Sequence, residues 1–233
     1  MNKTLLILLV LVLVGGLGFL FMNLARNETD TQATSQDTST EEVVLDDTRP
    51  VILAFGDSLT AGFGLSESES YPSQLQDYLD RNGYDYRVIN AGLSGDTSAG
   101  AANRIEFSLE DNPEIIIVTI GGNDLLRGLP LDQLRTNIAS IIEASQEAGT
   151  KVVLSGMQAP ANLDSAYRTE LIALYQELAR EYDTAFIPFF LEGVALNPAI
   201  NQSDQIHPTK EGYGIILEQN ILPVLEPLLE RAN

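Results

Sequence analysis

Six consecutive residues, Ile115 to Ile120, carry no charge and are almost uniformly β-branched. Branching at Cβ stiffens the side chain and favours extended backbone. The run does not alternate between apolar and polar, so both faces of the strand it forms must be covered. That requirement suits a central strand of a parallel sheet with helices on either side. Other apolar runs bounded by Gly, Pro, Asn or Ser recur at Val51–Phe55, Tyr86–Asn90, Lys151–Met157 and Ala185–Pro188, and each reads as a further strand. Between them, Leu131, Leu134, Ile138, Ile141 and Ile142 fall at helical spacing, as do Tyr167, Leu171, Leu174, Tyr175, Leu178 and Tyr182. These stripes are core faces of helices. Strands alternating with amphipathic helices specify an α/β fold with a parallel sheet. A last helix should start near Thr209, with Pro223 and Pro227 kinking or breaking it.

The 233 residues, 44% hydrophobic and 20% charged, suffice for one globular domain with a sizeable core and an appendage. The appendage is N-terminal. From Leu5 to Met22 the chain runs 18 residues without a charge, the lower end of membrane-spanning length. That is longer than the apolar region of a secretory signal, and no A-x-A pattern follows it, so residues 1–26 read as an uncleaved anchor in preference to a removed signal peptide. Lys3 precedes the span, and an acidic flank follows Arg26. The positive-inside rule then puts the body outside the cytoplasm, and a cleaved signal would also export it. Residues 27–48, rich in Thr, Ser, Gln and acidic side chains, bury too little apolar surface to offset chain entropy and read as a flexible tether. Residues 49–233 form the folded body.

Charge and rare residues narrow the chemistry. A formal charge of −20, of which the body carries −15, repels phosphate backbones and argues against nucleic-acid binding. Cysteine is absent, which removes disulfides, thiolate catalysis and thiolate metal sites. His207 is the sole histidine, so any imidazole base must be that residue, and multi-histidine metal sites are excluded.

Four polar clusters stand where chemistry is possible. Gly56-Asp57-Ser58-Leu59 ends the first strand and delivers Ser58 to the carboxyl edge of the sheet, where open α/β folds bind ligands. The same residues also serve as turn and helix-capping chemistry. After the second strand comes Ala91-Gly92-Leu93-Ser94-Gly95-Asp96-Thr97, in which Gly95 can aim its N–H into the crevice. A turn capped by Asp96 or Thr97 fits those residues equally. After the third strand, Gly121-Gly122-Asn123-Asp124 offers an amide donor with space cleared beside it, or simply a turn. Finally, Asp204-Gln205-Ile206-His207-Pro208 puts a carboxylate three residues before an imidazole. Asp204 can then bond Nδ1 and leave Nε2 for a serine hydroxyl, although an exposed His-Pro turn with Asp204 as a local cap is the plainer alternative.

Taken together and in this order, the four clusters resemble the conserved blocks of the SGNH, or GDSL, hydrolases, over about Arg49 to Leu229. The stretches SGDTSAG from Ser94 and GGNDLLRG from Gly121 look closest to the bacterial branch of thioesterase I, protease I and lysophospholipase L1, also described as an arylesterase. The resemblance implies a flavodoxin-like three-layer α/β/α sandwich of about five parallel strands in the order 2-1-3-4-5. It implies Ser58 as nucleophile, His207 as general base and then acid, and Asp204 as the carboxylate that orients it. It further implies an oxyanion hole of the Ser58 and Gly95 backbone N–H groups and the Asn123 side-chain amide, with Asp57 and Asp124 bracing the loops. Thr60 rather than glycine lies two residues past Ser58, so this is not the G-x-S-x-G elbow of α/β-hydrolases.

The resemblance implies an esterase or thioesterase acting on small acyl esters or lipids, without metal or organic cofactor; the N-terminal segment departs from that branch and adds an extracytoplasmic location, with the body joined to the membrane or, if the segment is cleaved, secreted. Deacetylation of cell-wall or extracellular polysaccharide is an alternative with the same residues. A catalytically inactive binding module is a second.

Overall fold

The computed structural model describes residues 47–231. The expected anchor, residues 1–26, and all of the expected tether but its last two residues lie outside the described residues. No helix among the described residues is long and apolar enough to cross a membrane.

Five strands form one all-parallel sheet: β1 (Val51–Gly56), β2 (Arg87–Gly92), β3 (Ile115–Thr119), β4 (Lys151–Ser155) and β5 (Ala185–Ile187), in the order β2-β1-β3-β4-β5. This is the order the family resemblance implied. Every residue of β1 and β3 is buried, as central strands covered on both faces must be, and partly exposed β2 sits at one edge. Where edge strand β2 would present a bare N–H, the Gln76 side chain covers it. Its Oε1 accepts from Val88 N at 2.7 Å and its Nε2 donates to Tyr86 O at 3.0 Å.

The connecting helices are α1 (Ser58–Ala61), α2 (Tyr71–Asn82), α3 (Ser98–Ser108), α4 (Gly122–Leu126), α5 (Leu131–Glu147), α6 (Ser165–Glu181) and α7 (Lys210–Ile216). The stripe from Leu131 to Ile142 lies buried on α5, and Leu171, Leu174, Tyr175 and Leu178 lie buried on α6. Thr209 caps α7, its side chain accepting from Gly212 N. Beyond α7 the prolines do not stop the chain. It passes through a π-helical turn (Leu217–Ile221) into α8 (Leu222–Leu225), with Pro223 in the first turn of α8. Pro223 cannot donate to the preceding turn, and just before it the pairing widens, Leu222 N bonding Leu217 O, so the chain changes helix type instead of breaking at that point.

Parallel order fixes what meets what. The carboxyl ends of β1 and β3 are neighbours, β2 lies beside β1, and the order of the chain reverses between β1 and β3. Such a switch point opens a crevice at the strand ends.

Candidate active site

Asp57 begins the site. Its side chain, 1% exposed, accepts from Leu59 N at 3.0 Å and caps α1, so Ser58 becomes the first helical residue at the end of β1. α1 lasts four residues, because Gly62 adopts a left-handed φ of 75° and returns its N–H to Ser58 O. Burial pushes the Asp57 carboxyl up to about 6, against the opposing pull of the Leu59 N–H and the His207 ring.

The loop before α7 brings in the second group. Asp204 uses its two oxygens differently. Oδ1 accepts from Ile206 N at 2.9 Å and His207 N at 3.0 Å, closing a turn, and Oδ2 meets His207 Nδ1 at 2.6 Å. The turn and the imidazole pair, alternatives in the sequence, coexist. Burial opposes ionisation of Asp204, but the backbone and ring of His207 and the Ile206 N–H outweigh it and hold the carboxyl down at about 2. On the far side of the ring, Nε2 lies 2.9 Å from Ser58 Oγ. Residues 149 apart in sequence thus form one series of hydroxyl, imidazole and carboxylate, an arrangement able to pass a proton from hydroxyl to ring.

Two contacts that the sequence did not disclose hold this loop in place. The Phe63 ring packs on the imidazole at 4.8 Å between centroids, and Gln202 Nε2 donates to Phe63 O at 2.7 Å and Pro208 O at 3.1 Å. Both reach between the Ser58 turn and the His207 loop. Neither carries a sequence signal, because each depends on where two distant loops meet.

Gly95 and Asn123 approach from β2 and β3. Gly95 has φ 84°, and nothing stands where its Cβ would be, so glycine is required by conformation rather than space. Among the described residues, neither the Gly95 nor the Ser58 backbone N–H has a protein acceptor. Asn123 Nδ2 donates to Asp96 O at 2.9 Å and lies 3.4 Å from Asp57 Oδ2, which ties the third loop to the first two. Asp124 points the other way: it accepts from Ser98 N at 2.8 Å and Ser98 Oγ at 2.5 Å, fastening α4 to the start of α3.

Beneath these loops lies Arg104, a residue that sequence reasoning passed over. From the middle of α3 its guanidinium donates to Asp96 Oδ2 at 2.7 Å, Ala91 O at 2.9 Å and Gly56 O at 2.9 Å, and it sits 4.1 Å above the Phe55 ring. One side chain therefore joins the carboxyl ends of β1 and β2 to the loop that carries Gly95. The only trace in the sequence is an arginine eight positions after an aspartate.

The model of the GDSL-like lipase/acylhydrolase family matches residues 54–215. The chain belongs to that family. Esterase TesA of Pseudomonas aeruginosa is 42% identical over 179 residues, which cover 76% of this chain and 89% of that protein. The thioesterase 1/protease 1/lysophospholipase L1 of Escherichia coli K12 is 34% identical over 179 residues, covering 76% and 84%. A crystal structure of TesA superposes with a TM-score of 0.74 at 42% identity, over 77% of this chain and 99% of that one. As a member of this family the chain is a serine hydrolase of ester or thioester bonds.

Proposed function

We propose that this protein is an extracytoplasmic esterase or thioesterase, of lysophospholipase or arylesterase type, that cleaves acyl esters through an acyl-serine intermediate. The observation that carries the mechanism is the series in which Ser58 Oγ lies 2.9 Å from His207 Nε2 and His207 Nδ1 lies 2.6 Å from Asp204 Oδ2. Ser58 Oγ attacks the acyl carbon while its proton passes to Nε2. Asp204, holding Nδ1–H, fixes the tautomer and stabilises the imidazolium. The backbone N–H groups of Ser58 and Gly95, with the Asn123 amide proton that faces Asp57 Oδ2 at a long 3.4 Å in the resting site, receive the charge that develops on the carbonyl oxygen. Collapse expels the alcohol or thiol, which takes the proton from His207. Water, deprotonated by the same nitrogen, then attacks the acyl-serine and releases the acid with Ser58 restored.

Lysophospholipid or a related lipid ester is the substrate that suits a body held near a membrane. Support for that setting is the uncharged run from Leu5 to Met22, preceded by Lys3 and followed by an acidic stretch. A panel of esters varied in acyl length and leaving group, with lysophosphatidylcholine among them and the Ser58→Ala protein as control, tests the proposal. Hydrolysis of long-acyl esters and lysophospholipid is expected. Turnover confined to acetyl esters of sugars would replace this reading with polysaccharide deacetylation.

A further inference from the structure

Large apolar side chains are exposed at few places among the described residues, and their distribution is uneven. Each of the four loops that converge on Ser58 carries one: Phe63 after the Ser58 helix, Leu93 before Gly95, Leu126 at the end of the helix that holds Asn123, and Ile206 beside His207. Leu163, in the loop after β4, adds a fifth, and the five are between 41% and 67% exposed. Four of them lie in loops and Leu126 is the last residue of α4, all at the carboxyl edge of the sheet. Two others fall outside this set: Leu196 lies in the stretch between β5 and α7, and Phe107 lies near the end of α3, which runs back toward the amino edge. Scattered apolar residues on a surface need no explanation, but one on each loop around a single hydroxyl forms a collar.

We propose that this collar docks the protein on a zwitterionic lipid surface, so that Ser58 faces the aggregate and takes its ester from it. Three observations favour this occupant. The loops that carry these residues converge on the serine–histidine pair, and Phe63 packs on the His207 ring, so a surface that covers them lies beside the reacting hydroxyl. The body carries a net charge of −15, which is repelled by anionic membranes and anionic partners and is compatible with a surface of no net charge. The same chain also bears an 18-residue apolar run, Leu5 to Met22, at the lower end of membrane-spanning length. The inference rests on the proposed function for the position of the reacting serine and for the membrane setting of the N-terminal run. Its test runs in the Ser58→Ala protein, so failure to dock and failure of the mechanism are read separately.

The absence of cysteine allows a residue-resolved test in the full chain. A single cysteine is introduced as Leu126→Cys, Leu163→Cys or, as control, Phe107→Cys, and is labelled with an environment-sensitive fluorophore before phosphatidylcholine vesicles are added. The expected result is a blue shift at 126 and 163 and none at 107, weakened when phosphatidylglycerol replaces part of the phosphatidylcholine. Leu163→Cys carries the test alone should Leu126→Cys fail to fold. Three outcomes overturn the proposal. The first is no shift at either collar position although the protein floats with the vesicles through its N-terminal segment. The second is an equal shift at 107, which means adsorption without a preferred face. The third is an equal response to a monomeric short-chain phospholipid, which means the collar holds a single acyl chain and not a surface.

Discussion

Replacing Arg104 with Met should damage this protein far more than its partial exposure suggests. Arg104 makes three hydrogen bonds, and its partner Asp96 is only 7% exposed at the side chain. Methionine keeps most of the apolar stem against Phe55 but leaves the Asp96 carboxylate buried without its countercharge and removes the donor from the carbonyls of Gly56 and Ala91. Breaking a buried pair from one side typically costs about 3–5 kcal/mol. For a domain of this size, each kcal/mol moves the melting temperature by about 2–4 °C, so Arg104→Met should melt about 6–20 °C lower. Arg135 is the internal control: it pairs with Glu177 and Glu181 at 2.9 and 2.7 Å, but all three are largely solvated, and Arg135→Met should cost about 1 kcal/mol or less. Thermal unfolding followed by circular dichroism at neutral pH measures both. Because Asp96 O anchors the Asn123 amide, the folded fraction of Arg104→Met should also turn over more slowly per site labelled by a fluorophosphonate. A melting temperature within about 2 °C of the parent would refute the assignment of Arg104 as the brace beneath the site.

Other outcomes follow from the same geometry. Asn123→Ala should lower kcat by about 10²- to 10³-fold with little change in KM, as loss of one oxyanion donor does, and steady-state kinetics on a chromogenic ester measures it. Asp57→Asn keeps the Oδ1 cap but removes a carboxyl whose folded value, about 6, lies above its ordinary 3.8. A raised acid stabilises the fold fully below 3.8 and loses that contribution as pH rises to 6, so the variant should gain stability relative to the parent across that interval, and equal differences in melting temperature at pH 4 and pH 7 would count against it. Gly121→Ala should destabilise by more than about 1 kcal/mol, since φ is 113° and the new methyl would stand 2.2 Å from the buried Tyr175 hydroxyl, which donates to Ile120 O. Chemical denaturation compares it with the parent.

The sequence and the structure agree where the physics is local. The β-branched run at Ile115, the apolar stripe of α5 and the capping residues Asp57, Thr97 and Thr209 each act over a few residues, and each was legible from its neighbours. Strand ends moved by one to two residues because ladder register, not composition, sets them: β2 runs to Gly92, which pairs with Gly56 of β1. The candidate site residues were legible as four separate blocks, and the family order joined them. What stayed hidden was long-range. Arg104 reaches partners 8, 13 and 48 residues away, and the Phe63–His207 and Gln202–Phe63 contacts join loops about 140 residues apart. The π-helical turn before Pro223 was equally invisible, because a proline signals the loss of one hydrogen bond but not how the preceding turn accommodates it.

The central claim is that Ser58 performs the chemistry. Its most direct measurement is hydrolysis of a chromogenic short-acyl ester by Ser58→Ala, purified alongside the parent and shown to melt at the same temperature. Triad enzymes that lose their serine retain only about 10³- to 10⁴-fold catalysis over water, so activity should fall to near the limit of detection. Undiminished turnover would contradict the account.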